Sequence, residues 1–497
     1  MSCPTIAIAG EVKAVPPAML HGLAPETLSP QTDTLLTFLY AFLPEPPVST
    51  SASLCCAAAA DSTDRVSRLP EVLLRPVLSR LPAKDGARTT VLSSRWRGLW
   101  RSAPLVLVDT HLLSGGDAGL RPARAGASSR GFTDAVSAAL EAHPGPFPFV
   151  SLTCSFMDGA DRRLIARWFQ LLATKGVGDL VFVNRPFPVP GLHLPSSLFS
   201  CASIRRLCIG AWVFPDTAAL PRGAAFPNLR HLPSAAPLWR TRTWSSCSPL
   251  RCAQFCLSIL EEVSVVDGPS LERLFLWRNW SERLRVSKMS TAVKIAHAPK
   301  LLVLGYLEPG VHILQIGNTI IKAGTKASTR TTVSSVLMLA LHLHFEVRSE
   351  VKMLPSFLRC FPSIETLIVE SEETLEPTTS NPSPKFWQGT GPIECVKSHL
   401  KILCFREVRG NHKEFGFLTF IAENARKLEV MSIVIKNGLT YTERAAVAAE
   451  LRDLSSANWA NRDCRLLFRI SSLPIGGSPW SLKAGSDLSC EDPFCCL

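Results

Sequence analysis

Residues 269–276 read Pro-Ser-Leu-Glu-Arg-Leu-Phe-Leu, and the phrase returns as Pro-Lys-Leu-Leu-Val-Leu at 299–304 and as Pro-Ser-Ile-Glu-Thr-Leu-Ile-Val at 362–369. Another copy, Pro-Asn-Leu-Arg-His-Leu, occupies 227–232, and weaker copies follow toward the C-terminus. The apolar residues that end each copy alternate, which is the period of a half-buried β-strand. One such unit cannot bury its own apolar face, so the stacked copies predict a solenoid.

The expected architecture is therefore α/β: an irregular leucine-rich-repeat solenoid whose short parallel strands form one curved sheet, with helices or loops between the strands. A copy that the phrase does not reveal is expected in the long interval after 304, where 336–343 reads Val-Leu-Met-Leu-Ala-Leu-His-Leu. The strands predicted in this way are 271–276, 301–304, 336–343, 364–369 and 400–405.

One segment breaks the pattern. Residues 233–249 read PSAAPLWRTRTWSSCSP, where a repeat should show spaced leucines. Two interpretations stay open: the segment is out of frame or mis-spliced, or it is a variable surface loop. Either way, we expect no regular strand in register with its neighbours and a locally irregular solenoid between Leu232 and Leu257.

A dense helical pattern runs from residue 64 to residue 100. A helix beginning near Pro70, where proline is tolerated, puts five apolar side chains on one broad face. A second short helix opens at Pro82, and Trp96 lies in a third. Three short helices cannot enclose so many large apolar groups, so part of this surface is expected to meet a partner. The five residues of the face are Leu73, Leu74, Val77, Leu78 and Leu81.

This module resembles the F-box of plant proteins. The resemblance rests on Leu-Pro-Glu-Val-Leu-Leu at 69–74, Ser-Arg-Leu-Pro-Ala-Lys-Asp at 79–85 and Leu-Ser-Ser-Arg-Trp at 92–96 taken together. It implies docking onto the Skp adaptor of a cullin ubiquitin ligase. The residues that it implies for adaptor binding are Leu69, Pro70, Leu73, Leu74, Val77, Leu78, Leu81, Pro82, Val91, Leu92 and Trp96.

Two residues depart from the usual F-box pattern. Pro76 lies inside the first helix, where a proline removes a backbone donor and costs about 3 kcal/mol. Gly86 lies in the second helix and costs about 1 kcal/mol relative to alanine. Both substitutions predict a weaker or kinked module.

Residues 391–471 resemble the FBD region that follows the repeats in many plant F-box proteins, and this region is expected to cap the solenoid. Before the module, a Pro- and Ala-rich extension with no sustained period is expected to be disordered. The expected domains are a disordered extension (1–60), the F-box (61–104), a strand plus linker (105–145), the solenoid (146–390), the FBD-like capping region (391–475) and a tail (476–497).

The composition limits the function classes. The net charge of +12 favours acidic partners. The sequence has no basic stripe interleaved with aromatic residues, so we expect no binding to nucleic acid. Sixteen cysteines without a secretory signal indicate reduced thiols and a cytosolic or nuclear compartment. No apolar run near the N-terminus is long enough to span a membrane. We find no motif typical of catalysis and expect no metal or cofactor; His342 and His344 alternate on a strand and are interpreted as packed residues.

The leading hypothesis is a non-enzymatic interaction protein: a substrate-recognition subunit that binds a Skp-type adaptor and cullin scaffold through the F-box, and a target protein through the repeats. Two alternatives stay open. One is a repeat-based interaction module without ligase function, for which Pro76 is the motivating feature. The other is a basic protein that associates with nucleic acid, which rests on the net charge alone and predicts a steep salt dependence of binding.

Overall fold

A computed structural model describes residues 43–48, 66, 68–112, 130–153, 157–184, 192–210, 212–213, 215, 226–235, 249–256, 262–277, 290–373, 386–471 and 482–494. The expected disordered extension lies outside these residues except for 43–48. The chain divides into two compact units, Pro17–Arg240 and a unit formed by Thr241–Leu497.

The first unit contains three short helices followed by a parallel sheet. The helices are α1 (Glu71–Ser79), α2 (Ala83–Arg88) and α3 (Ser94–Ser102), as the sequence predicts for the module. The strands pair in chain order, and two longer helices, α4 (Arg130–Ala142) and α5 (Arg162–Thr174), flank β2 in the sequence. The strands are β1 (Val106–Val108), β2 (Phe149–Leu152), β3 (Asp179–Val183), β4 (Arg206–Gly210) and β5 (His231–Ala235).

The second unit contains a larger parallel sheet, in which each strand pairs with the next copy of the repeat phrase. All five strands predicted in this unit are present and parallel, so this part of the prediction is confirmed. The strands are β6 (Cys252–Cys256), β8 (Arg273–Trp277), β10 (Val303–Leu307), β13 (Met338–Leu343), β14 (Thr366–Ser371), β15 (Ile402–Val408), β16 (Val430–Ile435) and β17 (Arg465–Ile470).

The connections between these strands are of two kinds. Between β6 and β13 they form a second sheet of β7 (Glu262–Val265), β9 (Thr291–Ile295) and β11 (His312–Ile316) in parallel, with β12 (Thr319–Ile320) antiparallel to β11. After β13 they contain helices: α6 (Arg348–Cys360), α7 (Glu394–Ser398), α8 (His412–Asn424) and α9 (Tyr441–Ser455), and α10 (Leu482–Ser486) follows β17. The sequence prediction named helices or loops here and missed the second sheet.

The repeat phrase determines where each strand begins. Its first leucine is buried in a turn before the strand: the amide of Leu271 donates to the Gly268 carbonyl at 3.1 Å. The carbonyl of the next residue, Glu272, then accepts the amides of Leu302 and Val303 at 2.8 and 3.0 Å. The same arrangement, in which one carbonyl accepts two successive amides of the next copy, recurs along the sheet. Each strand therefore begins two residues after its anchor residue and in register with its neighbour.

The prediction of irregular structure between Leu232 and Leu257 is wrong at both ends. β5 pairs in register with β4, and β6 pairs with β8 along its full length. The reason is a hidden copy of the phrase: Leu250 is buried in the anchor position, and the Arg251 carbonyl accepts two amides from the next copy. Residues 236–248, most of the atypical segment, lie outside the described residues.

The FBD-like region continues the sheet. Among the described residues, β17 is the final strand of the larger sheet, and Leu467, Phe468 and Ile470 on it are exposed. The region was expected to cap the solenoid; in the part of the chain that the structure describes, it contributes β15, β16 and β17 to the same sheet. Within that same part, no helix combines the length and apolar character needed to cross a membrane.

Candidate functional site

The three helices of the module are fixed by a small core and by local caps. Leu74, Leu78 and Trp96 are buried together with Leu99 and Ala103. The Ser93 hydroxyl caps α3 by accepting the amide of residue 96 at 3.4 Å. The Arg95 guanidinium donates to the Leu69 carbonyl at 2.6 Å, which ties α3 to the corner that precedes α1.

The broad apolar face predicted for α1 separates into two rows. Leu74 and Leu78, four residues apart, point into the core, whereas Leu73 and Val77, one position earlier, are exposed. Adjacent residues on a helix point in directions that differ by about 100°. One row of a wide apolar face can therefore be buried while the row beside it faces solvent. The expectation that the module exposes an apolar surplus is confirmed.

The structure therefore separates the residues that the F-box resemblance implies for adaptor binding. Leu74, Leu78 and Trp96 are core residues, and their side chains are not available at the surface. Leu69, Leu81 and Pro82 are half-buried, the two leucines against the same core. The exposed members are Pro70, Leu73, Val77, Val91 and Leu92.

Two further apolar side chains of the module are exposed in the same way and were not predicted as site residues. Val72 on α1 is 78% exposed, close to the 82% of Val91, and Val66 is 51% exposed. Val72 could have been found from the sequence, because it precedes Leu73 and Leu74 and cannot share the inward row with Leu74 and Leu78.

The two departures from the F-box pattern are accommodated. α1 continues from Glu71 to Ser79 through Pro76, which is exposed, and the Ser79 hydroxyl donates to the Pro76 carbonyl at 2.8 Å. At Gly86 an added Cβ would meet Leu105 at 3.5 Å, an ordinary van der Waals distance. Neither residue interrupts its helix.

The module is attached to β1 and α4 through buried contacts. Trp100 packs edge-on against His143 with a centroid distance of 4.9 Å, and His143 Nε2 lies 3.1 Å from the Ala103 carbonyl. Burial lowers the pKa of His143 to about 4, so the imidazole is neutral at neutral pH and Nε2 donates this bond. Pro82 forms an isolated parallel bridge with Val106. These buried contacts hold the helices that carry the exposed apolar residues in place.

A second cluster of chemically active residues lies in the other unit. His342 on β13 contacts Glu372 at 2.9 Å and Glu308 at 3.7 Å, while His344 contacts Glu350 of α6 at 3.2 Å. Burial opposes a charge on His342, but the two carboxylates outweigh it and raise its pKa to about 10. His342 is therefore protonated, and the cluster is a buried ion network; within the described residues, no group of side chains offers a metal site.

Four buried cysteines do not provide reactive thiols. Burial raises the pKa of Cys201, Cys208, Cys360 and Cys395 to about 12. Each of these thiols is free, and a thiol rather than a thiolate is a weak nucleophile. The apolar surface of the helical module remains the candidate site. A short helical module with exposed apolar residues, followed by a repeat sheet, is typical of proteins that bind other proteins.

Comparison with known families agrees with this class. Residues 66–107 match the family described as F-box domain. Residues 165–236 and 234–369 match the leucine-rich repeats of the FBD-associated F-box protein At5g56370, and residues 388–433 match the FBD family. The three regions follow one another in the order in which the sequence resemblance placed them.

Individual relatives come from Arabidopsis thaliana. F-box/FBD/LRR-repeat protein At5g56420 is 24% identical over 441 residues, covering 82% of this chain and 99% of the relative. F-box/LRR-repeat protein At3g26922 is 31% identical over 171 residues, covering 34% of this chain and 50% of that protein. F-box/LRR-repeat protein 13 is 28% identical, and the chain spans 35% of its length. The chain therefore combines an F-box match, a leucine-rich-repeat match and an FBD match, and it is similar to F-box/FBD/LRR-repeat proteins over most of its length.

Proposed function

We propose that this chain is a substrate-recognition subunit of an SCF-type ubiquitin ligase, which works in the cytosol or nucleus. Its F-box binds a Skp-type adaptor that joins it to a cullin scaffold, and its repeats bind a target protein. In this role the chain supplies proximity between the target and the ligase and carries out no bond chemistry itself.

The observation that supports adaptor binding is the set of exposed apolar side chains on the F-box helices. Leu73 and Val77 form one outward row of α1, and Val91 and Leu92 protrude from the turn between α2 and α3. Apolar residues concentrated on so small a module are typical of a protein interface rather than of a free surface. Removing the area of several such side chains from water contributes roughly 1.5–3 kcal/mol for each fully buried residue.

The adaptor interaction is tested by direct binding of the full chain to a purified Skp-type adaptor. Replacing Leu73 with Asp should weaken binding more than tenfold, because a charge replaces an apolar contact at the interface. The matched control is Tyr441→Asp, an exposed residue on α9 of the other unit, which should leave adaptor binding unchanged.

A second control separates the interface from the fold. Leu74→Ala removes a core leucine and should lower the free energy of unfolding by about 2–5 kcal/mol. Leu73→Asp should leave thermal stability nearly unchanged. If the wild-type chain does not bind the adaptor, or if Leu73→Asp binds equally well, the ligase assignment fails and the chain is a repeat-based interaction module.

A further inference from the structure

The larger sheet of the second unit has two different faces. In-register leucines from neighbouring strands form one face, and Phe405 on that face contacts Phe417 of α8. The opposite face carries the next residue of each strand. Gln254, Phe275 and Gly305 are direct cross-strand neighbours there, as are Ile368 and Cys404 further along. This second face points away from α8.

Residues 482–494 of the same chain lie across this second face. Gln254 Nε2 on β6 donates to the Ser486 hydroxyl at 2.8 Å. Arg273 on β8 donates to several backbone carbonyls, and Arg406 on β15 donates to the Phe494 carbonyl at 2.6 Å. The carbonyls that Arg273 contacts belong to Ala484 at 3.4 Å, Gly485 at 3.2 Å, Asp487 at 2.9 Å and Cys490 at 2.5 Å.

An aromatic side chain anchors the end of this segment. Phe494 is fully buried, and its ring packs edge-on against Phe275 with a centroid distance of 5.6 Å and against Tyr306 at 5.4 Å. An aromatic pair of this geometry contributes about 0.5–1.5 kcal/mol beyond the area that it buries. We call the face formed by Gln254, Arg273, Phe275, Tyr306 and Arg406 the trough.

The contacts of the trough are those of a peptide-binding site. Two arginines and a glutamine donate to backbone carbonyls and one hydroxyl, including the Gly485 carbonyl at the C-terminal end of α10, so they recognise the main chain of the segment more than its side chains. Gln254, Arg273 and Arg406 are themselves buried. Arg273 donates to four carbonyls of this segment, and a buried donor that loses its partner costs about 1–3 kcal/mol, so the trough favours an occupied state.

We propose that the trough is a docking site for a peptide segment that forms a short helix and turns and ends in an aromatic anchor, and that residues 482–494 are its built-in occupant, which a partner peptide displaces. A tethered segment competes at a millimolar effective concentration, so a partner must bind the open trough correspondingly more tightly. The proposal deepens the proposed function, since it identifies where the repeats would take a target, but it does not depend on adaptor binding.

The test uses the full chain and a fluorescent peptide of residues 482–494 with Ser in place of Cys490. Phe494→Ala in the protein should loosen the built-in segment and tighten binding of the added peptide at least tenfold, because apparent affinity scales with the open fraction. Combining Phe494→Ala with Arg273→Gln should abolish that gain. A peptide that carries Ala in place of Phe494 should bind neither protein, and Tyr441→Ala in the protein is the control for removing an aromatic ring elsewhere.

A second measurement covers a variant that fails to fold. In the wild-type chain, amide hydrogens of residues 482–494 should exchange through a local opening, faster than those of β13 and β14. Exchange of the segment only with global unfolding would overturn the proposal, as would a folded Phe494→Ala variant that binds no peptide. Adaptor binding is measured on the same samples so that the two proposals are tested separately. A wild-type chain that binds no adaptor would contradict the ligase role but not the peptide-binding role of the trough.

Discussion

The second unit contains two kinds of repeat coil that share one sheet. In the coils from β6 to β12, the return path is a strand, and its residues alternate: Val293 and Leu314 are buried, whereas Lys294 and Ile313 point outward. In the coils after β13 the return path contains a helix, such as α6 or α8. The comparison teaches that the repeat phrase specifies one half of each coil, while the local periodicity of the intervening sequence decides the other half.

The largest effect is expected in the helical coils. Phe357 on α6 is fully buried, and Phe357→Ala should lower the free energy of unfolding by about 3–5 kcal/mol, because it removes a large ring and leaves a cavity. Chemical denaturation of the full chain measures the change. Lys352→Ala on the exposed side of α6 is the control, and a loss below about 1 kcal/mol for Phe357→Ala would contradict the assignment of α6 to the core.

The strand coils offer a sharper test within two adjacent residues. Leu314 on β11 is fully buried, whereas Ile313 is 42% exposed. Leu314→Ala should cost about 2–5 kcal/mol, and Ile313→Ala much less, because only the first leaves a cavity. Equal losses in denaturant titrations would show that the second sheet does not have one buried and one exposed face.

The buried ion network lies where the two kinds of coil meet, since Glu308 follows β10, His342 lies on β13 and Glu372 follows β14. The pKa of His342 in the folded chain is about 10, above its unfolded value near 6.5, so its contribution to stability is complete below about pH 6.5. That contribution is lost as the pH rises toward 10.

We therefore expect the urea midpoint of the wild-type chain to fall between pH 6.5 and 9.5, and to fall less in His342→Gln. The substitution keeps a polar side chain of similar size but removes the titrating group. If both proteins lose the same stability over this range, the charge on His342 does not stabilise the contact between the two kinds of coil.

The smallest effect should be equal in the two regions. Lys294 pairs with Glu262 across the second sheet at 2.8 Å, and Lys401 pairs with Glu365 at 2.9 Å beside the larger sheet. Both pairs are partly exposed, so Lys294→Gln and Lys401→Gln should each cost less than about 1 kcal/mol. Melting temperatures at low and high salt check this. A clearly larger loss at one site would mean that the pair there is part of the packing of its coil.

The larger sheet could be predicted from the sequence because its signal repeats. The phrases around Leu271, Leu301 and Ile364 predict where the strands begin to within two residues, because each of these anchor residues occupies the same turn before its strand. The second sheet was missed because β9 and β11 do not follow a copy of the repeat phrase, although the alternation in Thr-Ala-Val-Lys-Ile is present. Periodicity over so few residues does not separate a strand from a loop.

The candidate site could be predicted as a module but not as a surface. A wide apolar face on α1 includes both Leu73 and Leu74, and only the packing of α1 against Trp96 determines which of them is buried. The trough has no local signal at all. Gln254 and Ser486 are 232 positions apart, and the segment that covers the sheet is rich in small and polar residues without a period.

The separation between the trough and its covering segment also sets an order in time. Ribosomes add about 5–20 residues per second, so Ser486 is made about 10–50 s after Gln254 and about 4–16 s after Arg406, which lies 80 positions before it. Once β15 has been made, the strands of the trough have all been synthesised while the segment that covers them has not. A partner peptide that meets the growing chain therefore faces no tethered competitor, and it gains access that the finished protein grants only after displacement.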